Sequence, residues 1–304
     1  PESAGANPGP ACYRRGGGAT LTDCLVVLDR LPAHVLPHVF GPQCTEPADA
    51  HASHAVLEEL HERMQRADVA LQSVCALAQS FVDIAVDAMA SAVRRISTEQ
   101  GRSLDGAALV AFGGAGGLLA CAVAEALDMD TVLLHPLAGV LSAWGMGQAR
   151  QRSLQRATLN IALDAPQACE QANARLDLLQ QALQPGPEDQ CVRSVELAVP
   201  DWDRSIAVSA DLLDQPATAR HVFAERCRER YGWDPLDIVP VISSVEVECI
   251  GPAAVHHGTS PRSTLHVGET LEGPQVVVEQ GSTAHVDDGW RGLVQDDGTL
   301  RLTQ

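Results

Sequence analysis

An α/β fold is predicted by three features of this 304-residue sequence. An apolar run from Ala107 to Phe112 ends in four glycines within five residues. An apolar stretch at helical spacing follows, from Leu118 to Leu127. A second short apolar run, Thr131 to Leu134, comes next. Strand, turn, helix and strand in that order predict a parallel crossover within an α/β sheet.

The elements follow in order. Residues 1–50 are rich in turn formers, with Asn7-Pro8-Gly9-Pro10 and Arg15-Gly16-Gly17-Gly18, so loops around one short helix at Leu25 to Leu31 are expected. From His54 to Gln100, Val56, Leu57, Leu60 and Met64, then Leu71, Val74, Leu77, Phe81, Val82, Met89 and Ile96, recur at helical spacing and predict two helices, the second long. Gly101 is placed to close the second. After the crossover unit, a helix is expected over Val140 to Ala149. Beyond Arg150 the signals weaken to helices at Ala168–Leu183 and Thr218–Tyr231 and strands at Val192–Val199, Ser205–Ala210 and Val241–Ile250. Short alternating runs punctuated by Gly281, Gly289 and Gly298 predict a small β module. The expected division is a loop-rich lead-in at 1–50, a nucleotide-binding α/β lobe at 51–163, an α+β subdomain at 164–260 and the β module at 261–304.

Composition excludes several chemistries. A formal net charge of -18 repels nucleic-acid phosphates and anionic lipid. The basic residues are all Arg, so neither a Schiff-base lysine nor a Walker-type Gly-Lys-Ser/Thr loop exists. Nine cysteines stand singly with no Cys-x-x-Cys pair and read as buried thiols of a reducing compartment. No signal-like segment or uninterrupted apolar stretch of about 20 residues appears, so a cytoplasmic location is expected. The opening on Pro1, inside a loop-like stretch, reads as a segment of a longer polypeptide.

A strand that ends in glycines and feeds a helix lets a ligand approach the backbone, and its amides with the helix N-terminus favour phosphate or a ribose edge. Tight packing of strand on helix explains the same glycines equally well. The spacing is not Gly-x-Gly-x-x-Gly, which disfavours a dinucleotide.

The segment Phe112 to Ala149, FGGAGGLLACAVAEALDMDTVLLHPLAGVLSAWGMGQA, resembles the C-terminal nucleotide-binding lobe of the hydantoinase A and 5-oxoprolinase family. Pro1 to Tyr13 (PESAGANPGPACY), Leu21-Thr22-Asp23, Pro37 to Pro42, Arg230-Tyr231-Gly232 and the tail GPQVVVEQGSTAHVDDGW resemble its flanks, in the same order. The resemblance implies the second half of an actin/hexokinase/Hsp70-like ATPase fold. In such a lobe Gly113, Gly114, Ala115, Gly116 and Gly117, with Ser142 on the Gly139 to Gly147 helix beneath them, face the adenosine of ATP. It further implies Mg²⁺ on the phosphates, 5-oxoproline or a related cyclic amide as substrate, an N-terminal ATPase half with the first phosphate hairpin, and a B-type domain or subunit. In that chemistry ATP phosphorylates the lactam oxygen, making it a leaving group, and water then attacks the activated carbon. A hydantoinase, a subunit of an ATP-dependent ketone carboxylase, and an inactive assembly module are the other readings.

Some residues depart from the family pattern. Leu119 stands where His is usual, Val86-Asp87 where Asn-Glu is usual, Arg150 where Asp is usual, and Trp202-Asp203 where Gly-Gln is common. Glu2, Ser3 and Asp23 are candidates for the lobe interface or the substrate side, although a solvated turn explains Glu2 and Ser3 and helix N-capping explains Asp23. His135 ends a strand facing the expected nucleotide cleft, while His256 and His257 adjoin a connection, and none belongs to a spaced zinc set. Cys121 could gain acidity from a helix N-terminus or serve as a buried packing residue.

Overall fold

The computed structural model describes residues 3–69, 72–200, 204–235, 237–252, 262 and 264–304. Glu2, Trp202-Asp203, His256 and His257 lie outside the described residues. The chain divides into two compact units, Pro1–Trp144 with Gly258–Gln304, and Gly145–His257.

The first unit begins with α1 (Leu21–Val27), α2 (Ala50–Arg66) and α3 (Val74–Glu99). Each starts on a side-chain cap, from Thr20, Asp49 and Ser73, which satisfies amides that a helix leaves unpaired. The crossover follows as β1 (Leu109–Ala111), α4 (Ala120–Ala126) and β2 (Thr131–Leu134), with β1 and β2 parallel as expected. The helix predicted next is a short 3-10 turn at Ala138–Val140 leading into α5 (Leu141–Gln148), and the division between the units falls within α5.

The second unit holds β3 (Arg152–Ala162), α6 (Ala168–Leu183), β4 (Gln190–Ala198), β5 (Ser205–Ser209), α7 (Pro216–Tyr231) and β6 (Val241–Ile250). Its antiparallel sheet runs β3-β6-β4-β5. One face packs Val195, Leu197, Val208, Ile242, Val245 and Val247 against Leu176 of α6 and Phe223 of α7. The boundary expected at 163/164 therefore differs from the structure: β3 pairs along its length with β6 and belongs here. Cys191 and Cys249, opposite each other on β4 and β6 with Cα atoms 4.0 Å apart, form a disulfide. This corrects the reading of all nine cysteines as thiols; pairing across a strand register leaves no mark in sequence spacing.

The chain then completes the first unit with β7 (Thr270–Glu272), β8 (Gln275–Glu279), β9 (Ser282–Val286), β10 (Arg291–Val294) and β11 (Leu300–Thr303). A separate C-terminal β module was expected. Instead β11 pairs with β2, giving one five-stranded sheet β1-β2-β11-β10-β7, and only the β8–β9 hairpin stands apart from it. The reason is burial: Leu300 and Leu302 alternate into the same core as Val132 and Leu134, together with Leu118, Leu127 and Trp290. Trp290 donates its indole N–H to Glu125 Oε1 at 2.6 Å, which satisfies the one polar atom of a buried ring.

Candidate functional site

The glycine turn leaves β1 at Phe112 and is held from two sides. Gly113 N donates to Ala138 O at 2.7 Å, fixing it to the loop after β2, and Thr283 N donates to Gly114 O at 2.9 Å, fixing it to the β8–β9 hairpin. Gly113 has φ +90°, which a side chain rarely adopts. Two glycines permit the close approach. A Cβ on Gly117 would lie 2.7 Å from Ala284 Cβ, and one on Gly139 would lie 2.1 Å from Gly281 O. The packing explanation of these glycines is therefore realised at Gly117 and Gly139. Gly139→Ala is expected to cost about 1–3 kcal/mol, because the obstacle is backbone that can yield only by moving the hairpin; chemical denaturation measures it.

The opposite side of the turn is open. Gly114, Ala115 and Gly116 are exposed, and the Gly114 and Ala115 amides make no intramolecular hydrogen bond among the described residues. Phe112 beside them is 55% exposed. Two free amides next to an exposed aromatic ring can take an anionic oxygen, a ribose hydroxyl or a base face.

The expectation that the following helix N-terminus faces the ligand is corrected. A 3-10 turn at Gly116–Leu118 intervenes, and Leu119, the N-cap of α4, is buried in the core with Leu118 and Ala120. Leu119 is thus a core residue. Ser142 is exposed in α5 and makes no hydrogen bond to the turn among the described residues.

Behind the turn lies a water-sized cavity lined by Gly113, Gly117, His135, Arg262, Glu279 and Thr283, among others. His135 accepts the Leu137 amide on Nδ1 at 3.0 Å and stands 5.1 Å from the Trp144 ring. Burial holds its pKa below the usual histidine value, so the neutral ring is favoured. Arg262 is nearly fully buried. It donates to Glu279 Oε1 at 3.2 Å, to Gly298 O at 2.6 Å and to Leu134 O, tying the hairpin, the β10–β11 turn and the end of β2 together.

Other candidates resolve differently. Asp23 is fully buried and cannot meet a substrate. Its Oδ2 accepts from Ala11 N, Thr20 N and Thr20 Oγ1, and its Oδ1 from Cys12 N and, at 2.6 Å, Ser53 Oγ. Thr20 is the N-cap and Asp23 the third helical residue of a capping box. The carboxylate thereby anchors the loop that carries Ser3, which is exposed and accepts Gly5 N at 3.2 Å. Cys121 is buried and its thiol is pushed up to about 12, mainly by burial. A thiolate there is excluded. No group of three or more His, Cys, Asp or Glu side chains suited to a metal occurs among the described residues. Among the described residues the open face of the turn carries exposed backbone, and the ionisable groups near it, His135, Arg262 and Glu279, line the cavity behind it.

Residues 1–155 match the Hydantoinase/oxoprolinase family. The chain is 38% identical over 155 residues to 5-oxoprolinase 1 of Arabidopsis thaliana, covering 49% of this chain and 12% of that protein. It is 30% identical over 265 residues to 5-oxoprolinase of Saccharomyces cerevisiae, covering 84% of this chain and 20% of that protein. It is 27% identical over 350 residues to caprolactamase subunit alpha of Pseudomonas jessenii, covering 100% of this chain and 49% of that protein. The crystal structure of the ATP-dependent caprolactamase from the same organism shares the fold, with a TM-score of 0.80 at 23% identity over all of this chain and 49% of that one. The chain thus spans about half of the caprolactamase subunit and a fifth or less of these two 5-oxoprolinases. The family match spans the anchored N-terminal loop, the long helix and the glycine turn, and the chain belongs to the Hydantoinase/oxoprolinase family.

Proposed function

We propose that this chain is the glycine-turn segment of an ATP-dependent cyclic amide hydrolase, with 5-oxoproline as the first substrate to test. The carrying observation is the family match over residues 1–155, which includes the turn whose exposed amides at Gly114 and Ala115 are unpaired. Those amides, with Gly116 and the Phe112 ring, form the adenosine side of the site. Ser142 lies on the neighbouring helix as a further contact. Mg²⁺, where bound with the nucleotide, would neutralise phosphate charge.

A lactam is a poor electrophile, and ATP supplies the energy to convert its oxygen into a leaving group. This chain's residues bind and orient. Cys121 stays a thiol through burial and supplies no thiolate, and His135 is favoured as the neutral ring; the phosphate hairpin comes from the N-terminal half of the enzyme, with a B-type partner completing the hydrolytic site. The test joins this segment to an N-terminal half and B-type partner taken from a relative and measures ADP release with and without 5-oxoproline. Stimulation by the lactam is expected. ATP binding without stimulation by 5-oxoproline or caprolactam overturns the proposal.

A further inference from the structure

The Cys191–Cys249 disulfide joins facing residues of β4 and β6, in a chain whose other seven cysteines remain thiols. The strands it joins do not need a cross-link to stay paired. β6 is an inner strand of its sheet, paired with β4 from Gln190–Ile250 to Ala198–Val241 and with β3 from Arg152–Ile250 to Ala162–Val241. Backbone hydrogen bonds therefore set its register on both sides, whether or not the sulfurs are bonded. Both cysteines also belong to the apolar face that carries Val195 and Val247 and packs against Leu176 and Leu179 of α6, where a thiol packs as a small hydrophobe. The same fold thus accommodates a disulfide or two thiols.

Its position gives the bond a consequence. It sits one rung from the end of the β4–β6 ladder, which closes at Gln190 and Ile250. Immediately beyond, Gly251 N donates to Gln151 O at 2.8 Å and Arg150 Nε donates to Gly251 O at 2.6 Å, so the segments leading into β3 and out of β6 run side by side. The bond also spans 58 residues of sequence that contain β5 and α7. Such a closure restricts the opened chain more than the folded one, so breaking it leaves the ladder formed and its end easier to open. Access is one-sided: Cys249 is 3% exposed, whereas Cys191 is half-buried between the exposed Gln190 and Val192. An incoming thiolate meets the Cys191 sulfur, and Cys249 is the leaving group.

We propose that Cys191–Cys249 is a reversible redox site that reacts with a dithiol reductant and, once reduced, frees the end of the β4–β6 ladder where the chain enters and leaves the second unit's sheet. One thiolate of the reductant attacks Cys191 Sγ, forming a mixed disulfide and expelling Cys249 as a thiolate that takes up a proton. The reductant's second thiol then displaces Cys191. The protein gains two electrons and two protons as two thiols, and the reductant leaves as its disulfide. Oxidised glutathione reverses the exchange and leaves as two molecules of the reduced tripeptide. The proposal does not depend on the reaction assigned above.

Treatment of the folded 304-residue chain with dithiothreitol, followed by acid quench, alkylation in denaturant and mass spectrometry, reads the chemistry. Seven alkylated cysteines before reduction and nine after it are expected, with Cys191 and Cys249 the two gained. Far-ultraviolet circular dichroism stays at the parental value. Amide hydrogen exchange is expected to quicken about tenfold or more at the ladder end, over Gln190, Cys191, Cys249 and Ile250, while β1 and β2 exchange as before. Oxidised glutathione restores both the alkylation count and the slow exchange. Cys191→Ala with Cys249→Ala is expected to exchange like the reduced chain and to ignore dithiothreitol. A bond that dithiothreitol reduces only after denaturation, a reduced chain that unfolds, or exchange that is the same in both forms overturns the proposal.

Discussion

Asp23→Ala is expected to lower unfolding free energy by about 3–5 kcal/mol, the range seen when a buried, fully engaged polar hub is removed. Five donors converge on this carboxylate, and three of them are backbone amides, of Ala11, Cys12 and Thr20. Ala11 and Cys12 are buried, so their amides find no water when the acceptor is lost. Asp23→Asn is expected to fail nearly as badly: only one of its two polar atoms accepts, and its NH₂ must face donors. The consequence reaches beyond stability, because this side chain ties the lead-in loop to α1 and α2. Arg14 and Arg15 lie in that loop, so trypsin should cut Asp23→Ala there at native conditions while sparing the parent chain. Urea denaturation and timed proteolysis check both statements. An Asn variant within about 0.5 kcal/mol of the parent would refute this account of the hub.

Arg262→Met is expected to cost a similar amount, about 3–5 kcal/mol, because it takes the cation from beside the buried Glu279, which keeps the Thr264 hydroxyl, and leaves the Leu134 and Gly298 carbonyls without the guanidinium donor. Arg262 and Glu279 side chains are 3% and 5% exposed, so bulk solvent does not reach the pair. Glu279→Met alone leaves the guanidinium its two carbonyl acceptors but removes the carboxylate that faces it. Joining both changes should recover part of the loss, since a buried pair replaced by apolar volume is often close to neutral, while the two carbonyls still lack a donor. The four-variant cycle by denaturation measures the coupling. Strictly additive losses would show that the pair contributes nothing. The glycine turn should respond as well, because Arg262 and Glu279 line the cavity directly behind it.

What the sequence revealed follows from the range of each signal. The first helix was expected from Leu25 with Asp23 as its N-cap, whereas it starts at Leu21 with Thr20 as cap and Asp23 as the third helical residue of a capping box; the amides of Ala11 and Cys12 come from a loop whose return path no local pattern encodes. The parallel β1–α4–β2 unit was legible because apolar runs, glycines and helical spacing fall within one short segment. The register of β11 on β2 was not, since alternation at Leu300 and Leu302 shows a buried face without naming the neighbour. Strand β3 was missed for a related reason: Arg152 to Arg156 are exposed and polar-rich, so period-two alternation is absent where it begins. At the turn, the sequence left nucleotide cradle and tight packing as equal explanations of the glycines. The structure divides them, packing at Gly117 and Gly139 and open backbone from Gly114 to Gly116. That Leu119 is core rather than site follows from its burial at the start of α4, which a family pattern alone does not disclose.

The central claim is that the open face of the glycine turn receives the nucleotide. Amide chemical-shift mapping of the isotope-labelled chain, titrated with Mg²⁺-ATP, tests it most directly. The account predicts weak, saturable shifts centred on Gly114, Ala115 and Gly116, attenuated by Phe112→Ala and absent with inorganic triphosphate. Saturable shifts elsewhere with the turn unmoved, or no shifts at millimolar nucleotide in a chain joined to its N-terminal half, would contradict it.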